Sequence, residues 1–287
     1  AALALGGALA MSSTAIVSKM LAERTELATS HGRDIMGILL FQDLAVVLFL
    51  IVLPSLSRSG EELAVALGLA LLKAIVVLAV ILFGGQRPMR AWLNVVARQR
   101  SSELFMLNLL LITLGLAALT ELAGLSLALG AFLAGMLIAE TEFRYQVEED
   151  IKPFRDVLLG LFFVTMGMAL DPAIVAAHWR MVALLLVVPV AVKLALIVAL
   201  ARAFGAPPAT AWRTGFYLAQ AGEFALVMLA LMFSHGIVDA TLAQVVLAAM
   251  VLSMLGAPLV IQFAEPIVRK LTANDWLARA AQLTQIA

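Results

Sequence analysis

The run Ile38–Leu50, "ILLFQDLAVVLFL", places an amide and a carboxylate, Gln42 and Asp43, inside an otherwise apolar stretch. An ionised group at the centre of a bilayer costs roughly 2.5–3.5 kcal/mol on insertion scales, so such groups are paired or face a polar cavity and are functional candidates. Three other side chains share this setting: Lys193 in "VVPVAVKLALIV", Glu223 in "LAQAGEFALV" and Lys73 in "LALLKAIVVL". Asp43 lies ten residues past Arg33, roughly 15 Å along a helix. Lys193 and Glu223 lie comparably far from the arginines that flank their segments, so the three share a depth. A carboxylate there can hold a proton or an alkali cation, and an ammonium at the same depth can pair with it. The plainer alternative for Asp43 is a structural ion pair or a neutral buried acid. For Lys193 it is a structural counter-charge, and Lys73 reads as structural.

Two segments carry residues that let a membrane helix unwind. "GALAMSSTAIVSKM" has Ser12, Ser13 and Thr14 at its middle, and "GFYLAQAGEFALVM" has Gln220, Ala221, Gly222 and Glu223. Irregular backbone at membrane depth is tolerated where it lines a cavity within the protein. Hydroxyls in one apolar helix are a weak signal, because they often bond back to their own helix. Two broken segments of opposite direction point further, to an inverted-repeat transporter with its site at the midplane. The segment after the first break carries Asp43, and the segment before the second carries Lys193. The expected site therefore has Asp43 as the cation and proton group, paired with Lys193. Gln42, Ser12, Ser13, Thr14, Gln220 and Glu223 line it.

The elements that must position these residues are membrane helices. The chain is 63% hydrophobic and 13% charged, with mean hydropathy +1.05, against roughly 25% charged for an ordinary soluble domain. Net charge is zero, which gives no reason to expect a nucleic-acid partner. Cysteine is absent, so disulfide and thiol chemistry are excluded. A spanning helix needs about 20 mostly apolar residues, which predicts spans near 2–20, 34–54, 63–84, 102–122, 124–140, 154–171, 180–202, 212–235 and 241–264. In the fifth, "GAFLAG" sets Ala131 and Gly135 one turn apart, which suits close helix packing. Asp34 is expected as a dipole-favoured acid at a helix start.

Loop charge orients these spans. Lys19, Arg24, Arg33, Arg87, Arg90, Arg98, Arg100, Arg144, Lys152, Arg155, Arg202, Arg213, Arg269, Lys270 and Arg279 fall on one side, and only Arg58 and Arg180 on the other. The positive-inside bias makes the first side, and the carboxyl terminus, cytoplasmic. The run Arg87–Arg100, with Trp92 and Val95–Val96, reads as an amphipathic connector on that surface.

The stretches "MSSTAIVSKML", "GRDIMGILLFQDLAVV", "LSLALGAFLAGMLIAETEFRYQVEEDIKPFRDVLLGLFFVTMGMALD" and "LAQAGEFALV" resemble, in order, the monovalent cation:proton antiporter-2 family. The nearest branch is the Kef-type potassium/proton antiporters. The resemblance covers essentially all of 1–270. It implies a sodium/proton-antiporter-like inverted-repeat fold, all-α and polytopic, with two discontinuous crossing helices and about nine spans present. It also implies a homodimer in a lipid bilayer, here a bacterial cell membrane, and a cytosolic nucleotide-binding regulatory domain of Rossmann type. The family's paired polar motif falls on Gln42–Asp43, its membrane lysine on Lys193 and its unwound stretches on Ser12–Thr14 and Gln220–Glu223. Sodium-exporting relatives often have Asp-Asp where this chain has Gln42–Asp43, which points away from sodium and from electrogenic exchange. Residues 1–270 are then expected to be the exchange domain, with earlier helices preceding them, and 271–287 the start of a linker to the regulatory domain.

The function expected on this reading is exchange of potassium for a proton by alternating access, with no cofactor in this stretch of chain. The ions themselves are the substrates. Sodium/proton exchange, or a channel-like potassium efflux protein on the same scaffold, are the alternatives. An intramembrane aspartyl protease could formally use Asp43 and Glu223, but no GxGD-like, H-E-x-x-H or G-x-S-x-G stretch is present.

Overall fold

The computed structural model describes residues 2–53, 65, 68–69, 72, 75–77, 79–123 and 125–284, with side chains as far as 272 apart from that of residue 82. Its helices are α1 (Ala2–Ala10), α2 (Thr14–Glu23), α3 (Ser30–Val52), a π-helical turn (Val80–Gly84) that runs into α4 (Gly85–Ala97), α5 (Ser102–Leu122), α6 (Leu127–Ala139), α7 (Arg144–Met168), α8 (Pro172–Ala177), α9 (Trp179–Ala203), α10 (Pro208–Leu218), α11 (Glu223–Ser234) and α12 (Ala240–Thr284). They form two compact units, one of Ala1–Val46 with Leu170–Ala287 and the other of Val47–Ala169.

Among the described residues, five helical stretches are long and apolar enough to cross a membrane: Ala2–Glu23, Ser30–Val52, Ser102–Leu122, Trp179–Ala203 and Ala240–Thr272. The pair α10 and α11, bent by 45° at its break, makes a sixth if it counts as one span. This is fewer than the nine expected, for identifiable reasons. Nine of the residues 63–84, Lys73 among them, lie outside the described residues, so no continuous span is traced there. The fifth segment forms only the short helix α6. The sixth is the apolar half of α7, whose first half "RYQVEEDIKPFR" is charged yet continues the helix. Likewise α3 begins at Ser30, so Asp34 sits exposed beyond its first turn and caps nothing. The helix α12 continues past 270 to Thr284.

The first unit has its core where Val17 and Leu21 of α2 meet Ile35 and Leu39 of α3, Ile197 of α9, Tyr217 and Leu218 of α10 and Ile261 of α12. Burial against other helices holds less driving force in lipid than in water, so close packing and polar ties carry more of the association. In the second unit Met89, Leu93 and Val96 turn one face of α4 onto Phe105, Met106 and Leu109 of α5 and Leu137 and Ile138 of α6. The close approach of α5 and α6 is at Gly130, where a Cβ would run into Leu116, Ala117 and Thr120. The expected Gly135 instead faces open space.

Candidate functional site

Helix α1 stops at Ala10 and α2 starts at Thr14, so the backbone at Met11–Ser13 has lost its ladder. Ser13 caps α2: its backbone is extended and its hydroxyl accepts the Ile16 N–H at 3.2 Å. Gln42, reaching across from α3, serves both sides of the break. Its Oε1 accepts the Ser12 N–H at 2.9 Å, and its Nε2 donates to the Ala10 carbonyl at 3.1 Å. A side-chain amide offers a donor and an acceptor, and here it stands in for the turn the helix has lost.

The second break, Ala219–Gly222, lies between α10 and α11. The two breaks touch directly. The Ser12 hydroxyl donates to the Leu218 carbonyl, the last of α10, at 2.9 Å. Gly222 is extended (φ −120°), and a Cβ on it would stand 2.5 Å from the Ser12 carbonyl oxygen. Glycine is required there for close approach. Ser253 of α12 accepts the Ala221 N–H at 3.1 Å and donates to Met250 O at 2.7 Å.

Lys193 enters from α9 and is 8% exposed. Its ammonium donates to Met11 O at 2.7 Å and Gln220 O at 2.9 Å, one freed carbonyl from each break. Both carbonyls lie just past the C-terminal ends of half-helices, where the helix dipole is negative. The expected pairing with Asp43 is therefore corrected: the ion pairs among the described residues do not join these two. An ammonium has donors only, and the two unladdered carbonyls need donors that the backbone no longer supplies.

The carboxylates gather at the opposite pole. The Thr14 hydroxyl, first residue of α2, lies 3.2 and 3.3 Å from the two Asp43 oxygens. The next residue, Ala15, donates its N–H to Glu223 Oε1 at 3.3 Å. Thus Asp43 and Glu223 approach consecutive residues at the positive end of one half-helix. Glu223 Oε2 and Gln220 Nε2 are buried and have no hydrogen-bond partner among the described residues. A hydroxyl beside carboxylate oxygens is a hard-oxygen donor set, of the kind that suits cations binding through oxygen.

All eight sequence candidates lie in the first unit. Asp43 of α3 and Glu223 of α11 meet Thr14 and Ala15 at the first turn of α2, whereas Gln42, Ser12, Ser13 and Lys193 brace the two breaks and Gln220 contributes a carbonyl that Lys193 holds. Sequence reasoning did not find Ser253, nor which backbone carbonyls the breaks free, those of Ala10, Met11 and Leu218. A lone serine in "MVLSMLG" gives little signal, and backbone groups give none.

Beyond one end of the site, the turn after α2 is fastened by Glu26. Its carboxylate accepts from Tyr217 Oη at 2.7 Å and lies 3.0 Å from His31 Nε2. Burial pushes the Glu26 carboxyl up, but the hydrogen bonds to His31 and Tyr217 and the charges of His31 and Arg24 bring it below its ordinary value. Nearby, Arg213 of α10 forks onto Glu265 of α12 at 2.9 and 3.0 Å.

Comparison with known proteins places these features in context. The family profile described as "Sodium/hydrogen exchanger, transmembrane" matches residues 1–264. The chain is 42% identical over 265 residues to the chloroplastic K(+) efflux antiporter 1 of Arabidopsis thaliana, covering 90% of this chain and 22% of that protein. It is 41% identical over 283 residues to the putative K(+) efflux antiporter KefB of Alkalimonas amylolytica, covering 98% and 42%. It is 36% identical over 258 residues to the glutathione-regulated potassium-efflux system protein KefC of Klebsiella pneumoniae, covering 90% and 42%. The chain thus spans less than half the length of these curated relatives.

Proposed function

Because the chain belongs to the transmembrane sodium/hydrogen exchanger family, a family of transporters, we propose that it exchanges a monovalent cation, potassium before sodium, for a proton by alternating access. The observation that carries this reading is the Thr14–Asp43 contact at the crossing of two helix breaks. Asp43 holds either a proton or the cation. Thr14 Oγ1 and the unpartnered Glu223 Oε2 complete the oxygen set. Lys193, Gln42, Ser12 and Ser13 hold the unwound backbone by satisfying its polar groups, among them the Gln220 carbonyl. The two breaks belong to an inverted-repeat fold of the sodium/proton-antiporter kind, and rocking of one bundle against the other exposes Asp43 to each side in turn.

The potassium preference rests on the three relatives, each named for potassium efflux, and on Gln42 in place of a second acid. Their greater length supports a further regulatory domain in the whole protein. Loop charge supports a cytoplasmic carboxyl end, and assembly as a homodimer follows the family resemblance. The test is proton flux driven by an imposed potassium or sodium gradient in proteoliposomes. Saturable flux that is faster with potassium is expected. Flux with sodium alone would favour the sodium exchanger, and non-saturating conductance would favour a channel.

A further inference from the structure

Helix α4 carries three distinct faces. Met89, Leu93 and Val96 are buried against α5 and α6. Trp92 and Val95 form a second face, apolar yet 52% and 62% exposed, and Trp92 is fixed by its indole N–H on Asn108 Oδ1 at 3.1 Å. The third face presents Arg87, Arg90 and Asn94 around an open cleft, and all three are exposed. Arg98 continues this stripe one turn beyond Asn94.

Among the described residues these guanidiniums have no carboxylate at ion-pair distance. From Leu63 to Ser102 the chain contains no acid at all. Among the described residues no ion pair involves Arg87, Arg90, Arg98 or Arg100. Arg90 donates, among the described residues, to the Glu140 carbonyl at 3.4 Å. Asn94 donates to the Arg90 carbonyl at 2.9 Å, which leaves its side-chain oxygen free as an acceptor. Unpaired cations beside an exposed tryptophan strip, on a helix adjoining membrane spans, match the pattern of an interfacial helix.

We propose that the Arg87–Arg90–Asn94 face of α4 is a binding site for the headgroup of an anionic phospholipid, whose acyl chains lie along Trp92 and Val95. The two guanidiniums offer planar forks that fit phosphate oxygens, and Asn94 can accept from a glycerol hydroxyl. An acidic segment of protein would satisfy the arginines but would leave the Trp92–Val95 strip without a use. A phospholipid uses both faces at once, which is why the lipid is the occupant argued here.

The test uses the full chain in nanodiscs of phosphatidylcholine, with or without phosphatidylglycerol, and two readouts. Thermal melting is compared for wild type, the double variant Arg87→Gln/Arg90→Gln, and a charge-matched control, Lys152→Gln/Arg155→Gln. Native mass spectrometry of wild type scores which lipid is retained in a phosphatidylglycerol–phosphatidylcholine competition, and this needs no variant to fold. A basic residue near an anionic surface contributes about fivefold in binding, so roughly twenty-five-fold is expected to be lost in the double variant. Phosphatidylglycerol should stabilise wild type and the control but not the double variant, and wild type should retain it selectively. Equal retention of the two lipids, or a phosphatidylglycerol shift that survives in the double variant, would overturn the proposal. So would full reproduction of the shift by glycerol 3-phosphate in phosphatidylcholine discs, or an effect confined to dimer formation without lipid selectivity.

Discussion

Gly222 backs directly onto Ser12: a Cβ built on it would stand 2.5 Å from the Ser12 carbonyl oxygen and 3.0 Å from the Ser13 nitrogen. The crossing of the two helix breaks is therefore a backbone-to-backbone contact, and no flexible side chain is available to yield. Everything that reaches the site, from Lys193 to Asp43, is registered on that contact.

Gly222→Ala should accordingly destabilise the protein, by about 1–3 kcal/mol as for other overpacked positions, and should abolish exchange. Gly135→Ala is the matched control, since its Cβ meets open space within α6. It should be neutral or slightly stabilising, because alanine is the better helix former. Melting in detergent and flux in proteoliposomes are the two measurements. Equal behaviour of the two variants would mean that the crossing tolerates separation.

Lys193→Ala removes the donor from Met11 O and Gln220 O, both held by the ammonium at under 3 Å. Each buried polar group left without a partner costs about 1–3 kcal/mol, so a large loss of thermal stability is expected. Lys193→Gln, which retains an N–H donor, should recover part of it. The ion preference should change little, since an ammonium offers no oxygen to a cation. A variant that melts like wild type but switches its preferred ion would place Lys193 in cation selection instead.

How much of this was legible in the sequence differs from residue to residue. The breaks were, because Ser12–Thr14 and Gln220–Glu223 interrupt apolar runs with groups that compete for backbone hydrogen bonds. The placing of Gln42 and Asp43 on a helix beside the first break followed from chain order alone. The partner of Lys193 did not, because depth along a helix says nothing about which acceptor lies nearest across it. Gly130 was passed over for Gly135, since spacing identifies a stripe of small residues but not the turn at which the neighbour crosses. The start of α7 was hidden by its charged first half, which reads as loop on hydropathy, and by Pro153, which the helix carries in its interior although proline there removes a ladder hydrogen bond.

Glu26 supplies a pH signature outside the spans. Its carboxyl is held below its ordinary value of 4.5, with burial opposed and outweighed by His31, Tyr217 and Arg24. A carboxyl lowered in the folded state contributes stability that is present above its unfolded value and is lost as pH falls through the folded one. Melting temperature should therefore fall on acidification below about 4.5, and Glu26→Gln should flatten that limb. Tyr217→Phe, which removes a 2.7 Å hydrogen bond, should flatten it in part. An acid limb unchanged in Glu26→Gln would assign the loss to other carboxyls.

Asp43→Asn keeps an oxygen for the Thr14 hydroxyl but cannot ionise. It should fold and insert like wild type, yet show no cation-driven proton flux. Normal turnover in this variant would remove Asp43 from the mechanism.

The charge balance of the cycle follows from what surrounds Asp43. The Gln42 amide is engaged with the Ser12 N–H and the Ala10 carbonyl, and an amide releases no proton at any ordinary pH. Lys193 spends its ammonium on two carbonyls and makes no ion pair with Asp43 that binding of a cation would have to break. One proton on Asp43 is then exchanged for one monovalent cation, and no net charge moves. Membrane potential acts on a step by about 2.3 kcal/mol per 100 mV for each elementary charge that crosses, so an exchange of one for one should not respond to it. Flux is to be measured in vesicles with the potential clamped at zero and then at a large negative value, first with potassium and then with sodium. Equal rates at both potentials are expected. A clear voltage dependence would mean that a second group titrates during turnover, and Glu223, which faces the same turn of α2 as Asp43, and Lys193 would be the first to test, through their Gln variants.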